Sequence, residues 1–399
     1  MSTGSELSNA INLVFDPHLH VAGEVVEGSV DLYFPKLRDD NIEEVHVKLR
    51  GFIATRITRQ RGESSYTYRQ RVDLCRENIS LWRKGCDLYP PPGSHVLSLP
   101  FRFVLPSGLP PSCTYSGYRW QSTVGYLVQA VGERPILSFN RRVQKSFPVL
   151  PVDVRGAQLR SVLSAGWDGG WKPIEARNQI RKGIWGDYSQ VEAILMFPDV
   201  EAYPVLTPIP FTLSVVTMTK TMKFDDHKEE ETIFPEPSHD PKKYELKLEA
   251  KVWTKAKSQT NNGTSNTGAF GGLGDCNYPR FYENIQVEPV QKVWIPSPEH
   301  GEKAQKGRWK QEVLFRSSFL LRCAPSFSAE TLRVEYRARL KIPFPGLGND
   351  TKLEFPMRII SSMPAPGESW QGPPPELDLP PGYFDTGSWA NLDEKDEKD

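Results

Sequence analysis

Apolar and polar residues alternate with period two along most of this chain. In "VDLYF", Val30, Leu32 and Phe34 share a face. In "VHVKLRGFIATRI", Val45, Val47, Leu49, Ile53 and Ile57 point one way, and His46, Lys48, Arg50 and Arg56 point the other. "LSLPFRFVL" aligns Leu97, Leu99, Phe101, Phe103 and Leu105, and "VGYLVQAV" aligns Val124, Tyr126, Val128 and Ala130. The second half repeats the pattern in "VEAILMF", "FTLSVVT", "YELKLEAKVW" and "LRVEYRARLKIPF". In the last of these, Leu332, Val334, Tyr336, Ala338, Leu340 and Ile342 alternate with five charged residues. One dry face and one wet face are the signature of antiparallel sheets packed on a single side. Many short strands separated by Pro/Gly turns predict sandwiches or barrels. The nearest approach to a helical pattern is the short "IEARNQIRKGIW".

Two runs of strands predict two tandem immunoglobulin-like β-sandwiches, an all-β chain. Residues 1–10 are expected to be disordered. The first sandwich is expected over 11–152 and the second over 188–361. Residues 153–187 carry Trp167, Trp171 and Trp185, too many for a floppy linker, and predict an ordered connection. Residues 255–279, polar and rich in Gly and Asn, predict a mobile loop. From residue 362 the chain turns Pro-rich and then acidic, and 362–399 is expected to be a disordered tail. A weak echo links the halves: "PPSC" precedes the strand with Val124-Gly125-Tyr126, and "APSF" precedes the one with Val334-Glu335-Tyr336.

The composition narrows the function. At 399 residues the chain suits two domains of ordinary size. Lys+Arg and Asp+Glu both number 49, so no global field draws the protein to nucleic acid or an anionic membrane. The 35 prolines and 30 glycines favour turns and short elements. No basic-then-apolar leader is seen, so no secretory signal is expected, and the sequons at Asn78, Asn262 and Asn349 then carry no meaning. No apolar run is long enough to span a bilayer. The five cysteines, Cys75, Cys86, Cys113, Cys276 and Cys323, are odd in number and widely spaced, which predicts reduced thiols rather than disulfides or zinc ligands.

Little in the sequence points to catalysis. There is no G-x-S-x-G, H-E-x-x-H or kinase signature, and "GAFGGLGD" lacks the Lys-Ser/Thr of a phosphate loop. His18 and His20 have no third ligand nearby, and no metal is expected. A cluster of Lys48, Arg50, Arg56, Arg59, Arg61, Arg69 and Arg71 in the first domain could face acidic or phosphorylated partners, or could simply be a solvated sheet face. The clearest motif is "LPPGY". Pro380 and Pro381 favour polyproline II, Tyr383 falls on the next turn of that three-residue helix, and Leu379 adds apolar surface. This is the pattern that the aromatic groove of a WW domain reads. Gly382 loosens the segment and is expected to weaken such binding somewhat. "YPPPG" at Tyr89–Gly93 has its tyrosine on the wrong side and reads as a turn.

Several of these stretches resemble the arrestin family. "AGEVVEGSVDLYF" looks like the opening of an arrestin N-domain, and "PPGSHVLSLPFRFVLPSGLPPSCTYSG" with "VGYLVQA" like its later strands. "TPIPFTLSVVTMTK", "SFSAETLRVEYRARLKI" and "LEFPMRI" look like C-domain strands. With "RKGIWGDYSQVEAILMFP" and the Pro-rich tail, the chain is similar to the fungal α-arrestins over about residues 11–360. The resemblance implies two sandwiches side by side and no catalysis, no cofactor and no metal. It implies an adaptor that holds cytosolic tails of membrane transporters or receptors and recruits a WW-domain HECT-type ubiquitin ligase. Cargo would then be ubiquitinated and internalised by endocytosis. The adaptor would be cytoplasmic, drawn peripherally to plasma membrane and endosomes, and without a nucleic-acid partner. The adaptor itself could receive ubiquitin, at lysines such as Lys220, Lys223, Lys255 or Lys257, and Ser361, Ser362 and Ser369 lie near enough to the motif to regulate it. Another reading of the same fold is a ubiquitin-independent sorting or scaffold subunit of a vesicle-trafficking complex. An enzyme or carbohydrate-binding sandwich would belong to a different class and would need an acidic cleft.

Overall fold

A computed structural model describes residues 9–135, 139–183, 186–225, 233–274, 284–297, 306–368, 370, 375–380 and 383. The chain is all-β, with two short α-helices among the described residues. The first sandwich contains β1 (Ile11–Val14), β2 (His20–Val21), β3 (Val25–Tyr33), β4 (Glu44–Arg61), β5 (Ser64–Arg83), β6 (Val96–Val104), β7 (Cys113–Gly117), β8 (Trp120–Glu133), β9 (Arg141–Ser146) and β10 (Val149–Leu150), with α1 (Phe34–Asp39) after β3. One sheet runs β1-β3-β6. The other runs β5-β4-β8-β7, with β9 also on β8, and β2 and β10 pair in parallel. The expected inward face is reproduced: Val45, Val47, Leu49, Ile53 and Ile57 of β4, and Val124, Tyr126, Val128 and Ala130 of β8, are buried, but mid-β4 and nearly all of β8 are buried on the other face as well, at Phe52, Ala54, Leu127 and Val131. Each such side chain withdrawn from water contributes about 1.5–3 kcal/mol.

After α2 (Val154–Ala165) come β11 (Trp171–Arg181), β12 (Tyr188–Pro198), β13 (Tyr203–Pro204), β14 (Pro208–Met218), β15 (Met222–Lys223), β16 (Glu245–Ala256), β17 (Gln259–Ala269), β18 (Gln286–Pro296), β19 (Lys306–Leu320), β20 (Phe327–Ser328), β21 (Leu332–Ile342), β22 (Thr351–Met357) and β23 (Ile359–Ile360). One sheet runs β11-β12-β14-β19, with β15 and β18 also on β19, and the other runs β17-β16-β21-β20, with β22 also on β21. The charged residues of β21 find partners across the ladder. Arg337 lies opposite Glu249 of β16, and Arg339 opposite Glu354 of β22. Both arginines bond the Glu249 carboxylate.

Four expectations change. "IEARNQIRKGIW", the nearest approach to a helical pattern, is no helix in its described part. Its residues up to Arg181 belong to β11, which pairs with β12 over eleven positions, so the second sandwich begins at Trp171 rather than 188. The helix of the connection lies earlier, at Val154–Ala165, where Asp153 caps it by accepting from the Gly156 N–H at 3.0 Å. Trp185 lies outside the described residues. In 255–279, the stretch Gln259–Ala269 is a strand, because its backbone completes a ladder with β16 whatever its side chains are. The tail is not wholly structureless either. Met363 forms a parallel bridge with Val152, the Arg160 guanidinium lies 3.9 Å from the centre of the Trp370 ring, and Asp378 N–H donates to the Arg322 carbonyl at 2.9 Å.

The two sandwiches share a seam. Thr55 donates to the Lys255 carbonyl at 2.6 Å, Lys257 N–H donates to Gln70 at 2.6 Å, and the buried hydroxyls of Tyr115 and Tyr336 meet. No helix among the described residues is long and apolar enough to cross a membrane.

Candidate functional site

The echo between "PPSC" and "APSF" marks a repeated structural device. Ser112 and Ser326 stand just before β7 and β20. Ser112 N–H donates to the Val149 carbonyl, and Ser112 Oγ accepts from Val149 N–H at 2.8 Å. Ser326 N–H donates to the Ile359 carbonyl, and its Oγ accepts from Ile359 N–H at 3.1 Å. Two residues upstream, Tyr126 donates to the Pro110 carbonyl and Tyr336 to the Ala324 carbonyl, both at 2.7 Å. A short loop lacking ladder partners is thus closed in each sandwich by one serine and one tyrosine.

In the first sandwich this device receives a third residue. Tyr383, the tyrosine of "LPPGY", has 2% of its surface exposed. Its hydroxyl lies 2.7 Å from Ser112 Oγ and donates to the Phe147 carbonyl at 2.9 Å. Burial raises its pKa, outweighing the Ser112 hydrogen bond that lowers it, so the phenol stays neutral and keeps its donor. Leu379 is half-buried and Pro380 exposed, while Pro381 and Gly382 lie outside the described residues. Tyr383 N–H donates to the Pro380 carbonyl at 2.8 Å. This segment walls a cavity of about 620 Å³ at the seam, shared with Cys113, Tyr115, Phe270, Leu321 and Cys323. Leu379 and Tyr383 of the motif therefore sit against the folded body rather than in a free tail. Ser361 and Ser362 are buried as well, and Ser369 lies outside the described residues.

The basic residues do not form one exposed surface. Arg50 is 6% exposed and donates to the Leu49 carbonyl at 3.0 Å and the Glu77 carbonyl at 2.7 Å. Arg71 donates to Asp73 at 3.0 Å and lies 4.5 Å from the Phe52 ring centre. Arg59 donates to the Thr260 carbonyl, tying the β4–β5 hairpin to the second sandwich. Arg56 and Arg69 are opposite one another and exposed, and Lys48 is half-buried. Arg61 is exposed as well. Backbone carbonyls, the Asp73 carboxylate and an aromatic face take up Arg50, Arg59 and Arg71, a use that spacing along a strand does not reveal.

Burial raises the Cys75 thiol to about 11 and those of Cys113 and Cys323 to about 12, so these are thiols rather than thiolates. Those three and Cys86 are free, while Cys276 lies outside the described residues. His20 is buried, stacked on Phe15 with ring centres 5.9 Å apart, and His18 lies 4.1 Å from it by the same measure. The serine half of the socket was legible only as the "PPSC" echo. The Phe147 carbonyl, a backbone group, left no trace in the sequence.

Residues 11–154 match the family model of the arrestin (or S-antigen) N-terminal domain. That interval covers the whole first sandwich and ends where α2 begins. No curated protein matches the chain. The match shows that the first sandwich is similar to an arrestin N-terminal domain; it does not extend to the second sandwich.

Proposed function

We propose that this protein is an α-arrestin-like adaptor joining membrane transporters or receptors to a WW-domain HECT-type ubiquitin ligase. The observation that carries the reading is the conjunction of an arrestin N-terminal domain over residues 11–154 with a PPxY sequence at Pro380–Tyr383. Leu379, Pro380, Pro381 and Tyr383 would hold the ligase, and the two sandwiches would hold cargo tails. Arg56 and Arg69, exposed and facing each other across β4 and β5, with Lys48 on the same hairpin, are the cations best placed for acidic or phosphorylated cargo. Mechanism is proximity: two binding sites on one chain raise the effective concentration of ligase at cargo. Recruitment to plasma membrane and endosomes would then be peripheral, through cargo, and ubiquitin transfer to the adaptor itself would be a by-product at lysines such as Lys220, Lys223, Lys255 or Lys257. One PPxY bound to one WW domain is expected to have a Kd of about 1 µM or weaker.

The burial of Tyr383 favours a second reading, in which the tail is structural and the protein is a sorting or scaffold subunit that works without ubiquitin. Titration of the full chain into a tandem WW fragment separates the two. The adaptor reading expects saturable binding that Pro380→Ala/Pro381→Ala abolishes, since those changes remove polyproline II preference and leave Tyr383 in place. Absence of binding by both the parent chain and an excised tail peptide would leave the scaffold reading in first position.

A further inference from the structure

Four groups around Tyr383 form a hydrogen-bond chain with every proton placed. Val149 N–H donates to Ser112 Oγ at 2.8 Å. Tyr383 Oη donates to the Phe147 carbonyl at 2.9 Å. The remaining contact, Ser112 Oγ to Tyr383 Oη at 2.7 Å, must then run from the serine hydroxyl to the phenol oxygen. The socket is buried: Ser112, Phe147 and Val149 have no exposed surface. A phenylalanine would fill the same space but leave the serine hydroxyl and the Phe147 carbonyl without the phenol, so the site discriminates by the hydroxyl. The approach to it is also built. Asp378 N–H bonds the Arg322 carbonyl, Leu377 is buried and Leu379 half-buried. Ser112 and Tyr383 are 271 positions apart, so chain proximity does not account for the contact.

We infer that the groove from Arg322 to the Ser112–Phe147 socket is a binding site for the chain's own Leu377, Asp378, Leu379 and Tyr383, and that it competes with WW domains for Tyr383. The competition rests on the ligase reading above; the binding site does not. One tyrosine side chain cannot occupy two pockets. Tyr383 N–H also bonds the Pro380 carbonyl, whereas polyproline II, the form a WW groove takes, has no internal hydrogen bonds. Ligase affinity is therefore scaled by the fraction of molecules whose tail has left the socket.

Two measurements on the full chain test this. Hydrogen exchange reads the socket directly: the amides of Asp378 and Tyr383 are expected to exchange at least tenfold more slowly than in a synthetic peptide of residues 373–388. Titration into a tandem WW fragment reads the competition: the full chain is expected to bind at least tenfold more weakly than that peptide. Ser112→Ala should accelerate the exchange and close most of the affinity gap. Ser326→Ala, which removes the same serine bond in the second sandwich, should do neither. If Ser112→Ala does not fold, Tyr383→Phe, read by exchange alone, should release Asp378. Peptide-like exchange in the parent chain, or equal effects of Ser112→Ala and Ser326→Ala, overturns the site. Equal affinity of chain and peptide overturns the competition. If neither chain nor peptide binds WW domains, the ligase reading fails, and the exchange data still decide the socket.

Discussion

The two sandwiches are built on one ten-strand plan. The β1-β3-β6 sheet of the first corresponds to β12-β14-β19 of the second, β5-β4-β8-β7 to β17-β16-β21-β20, and the short parallel pair β2/β10 to β13/β23. Even the loop closures match, Ser112 and Tyr126 in one, Ser326 and Tyr336 in the other. What differs is what each closure touches next. In the first sandwich Ser112 meets Tyr383 from the tail; in the second, Tyr336 meets Tyr115 from the first sandwich. A duplicated fold thus uses one device twice, once to seat a terminal segment and once to join the domains. The second sandwich also gains β11 as an edge strand and a denser aromatic core, in which Phe197 packs against Tyr203, Phe211, Phe319 and Phe355 with ring centres 5.3–6.2 Å apart.

The largest expected effect lies in that core. Phe197→Ala should cost about 3–5 kcal/mol by chemical denaturation. Phe103→Ala, with Phe101 as its aromatic neighbour at 5.8 Å, should cost less. Equal losses would show that the aromatic cluster adds nothing beyond area. Next come the closures. Tyr336→Phe leaves both the Ala324 carbonyl and the Tyr115 hydroxyl without their partner and should cost about 2 kcal/mol. Tyr126→Phe removes one bond and should cost about 1 kcal/mol. If the two variants lose the same amount, the tyrosine contact across the seam contributes nothing to stability.

The charged ladder of the second sandwich gives a smaller, pH-dependent effect. Burial tends to raise the Glu249 pKa, but the hydrogen bonds of Arg339 and Arg337 prevail and hold it below 4.5. A depressed folded pKa means that the stability is present above the unfolded value of 4.5 and is lost as pH falls through the lowered one. Glu249→Gln should therefore cost about 1 kcal/mol at neutral pH. Its difference from the parent should shrink steadily under acid titration below 4.5. A difference independent of pH would assign the loss to packing instead. Smallest of all, Arg56→Ala with Arg69→Ala on the exposed hairpin should change stability by less than about 0.5 kcal/mol. The same pair should weaken binding of a phosphorylated cargo peptide severalfold, and unchanged binding would remove that hairpin from the cargo surface.

Much of this was legible in the sequence. The alternating runs became strands with their apolar faces inside, because period two and a sheet packed on the core are the same geometric fact; Phe34, which passes into α1, and β8, buried on both faces, depart from it. Failures came where backbone demand overrode side-chain pattern. The glycine- and asparagine-rich stretch became β17 because β16 had a ladder edge to satisfy. "IEARNQI" became β11 by the same pairing with β12. The basic cluster was legible as residue types, but the carbonyls that take up Arg50 and Arg59 were not, since a carbonyl is the same at every position.

By itself, then, the sequence determined the all-β class, the tandem halves, the inward face of each main strand and the presence of a PPxY segment, all of which are local or periodic properties. Tertiary structure alone decided that Tyr383 is buried against Ser112 and Phe147, that three of the seven cations first singled out are held by neighbouring groups, and that the repeated serine–tyrosine closures serve different neighbours. Those outcomes depend on contacts between residues far apart in the chain, and no local pattern encodes which distant backbone group will stand beside a given side chain once two sheets have packed.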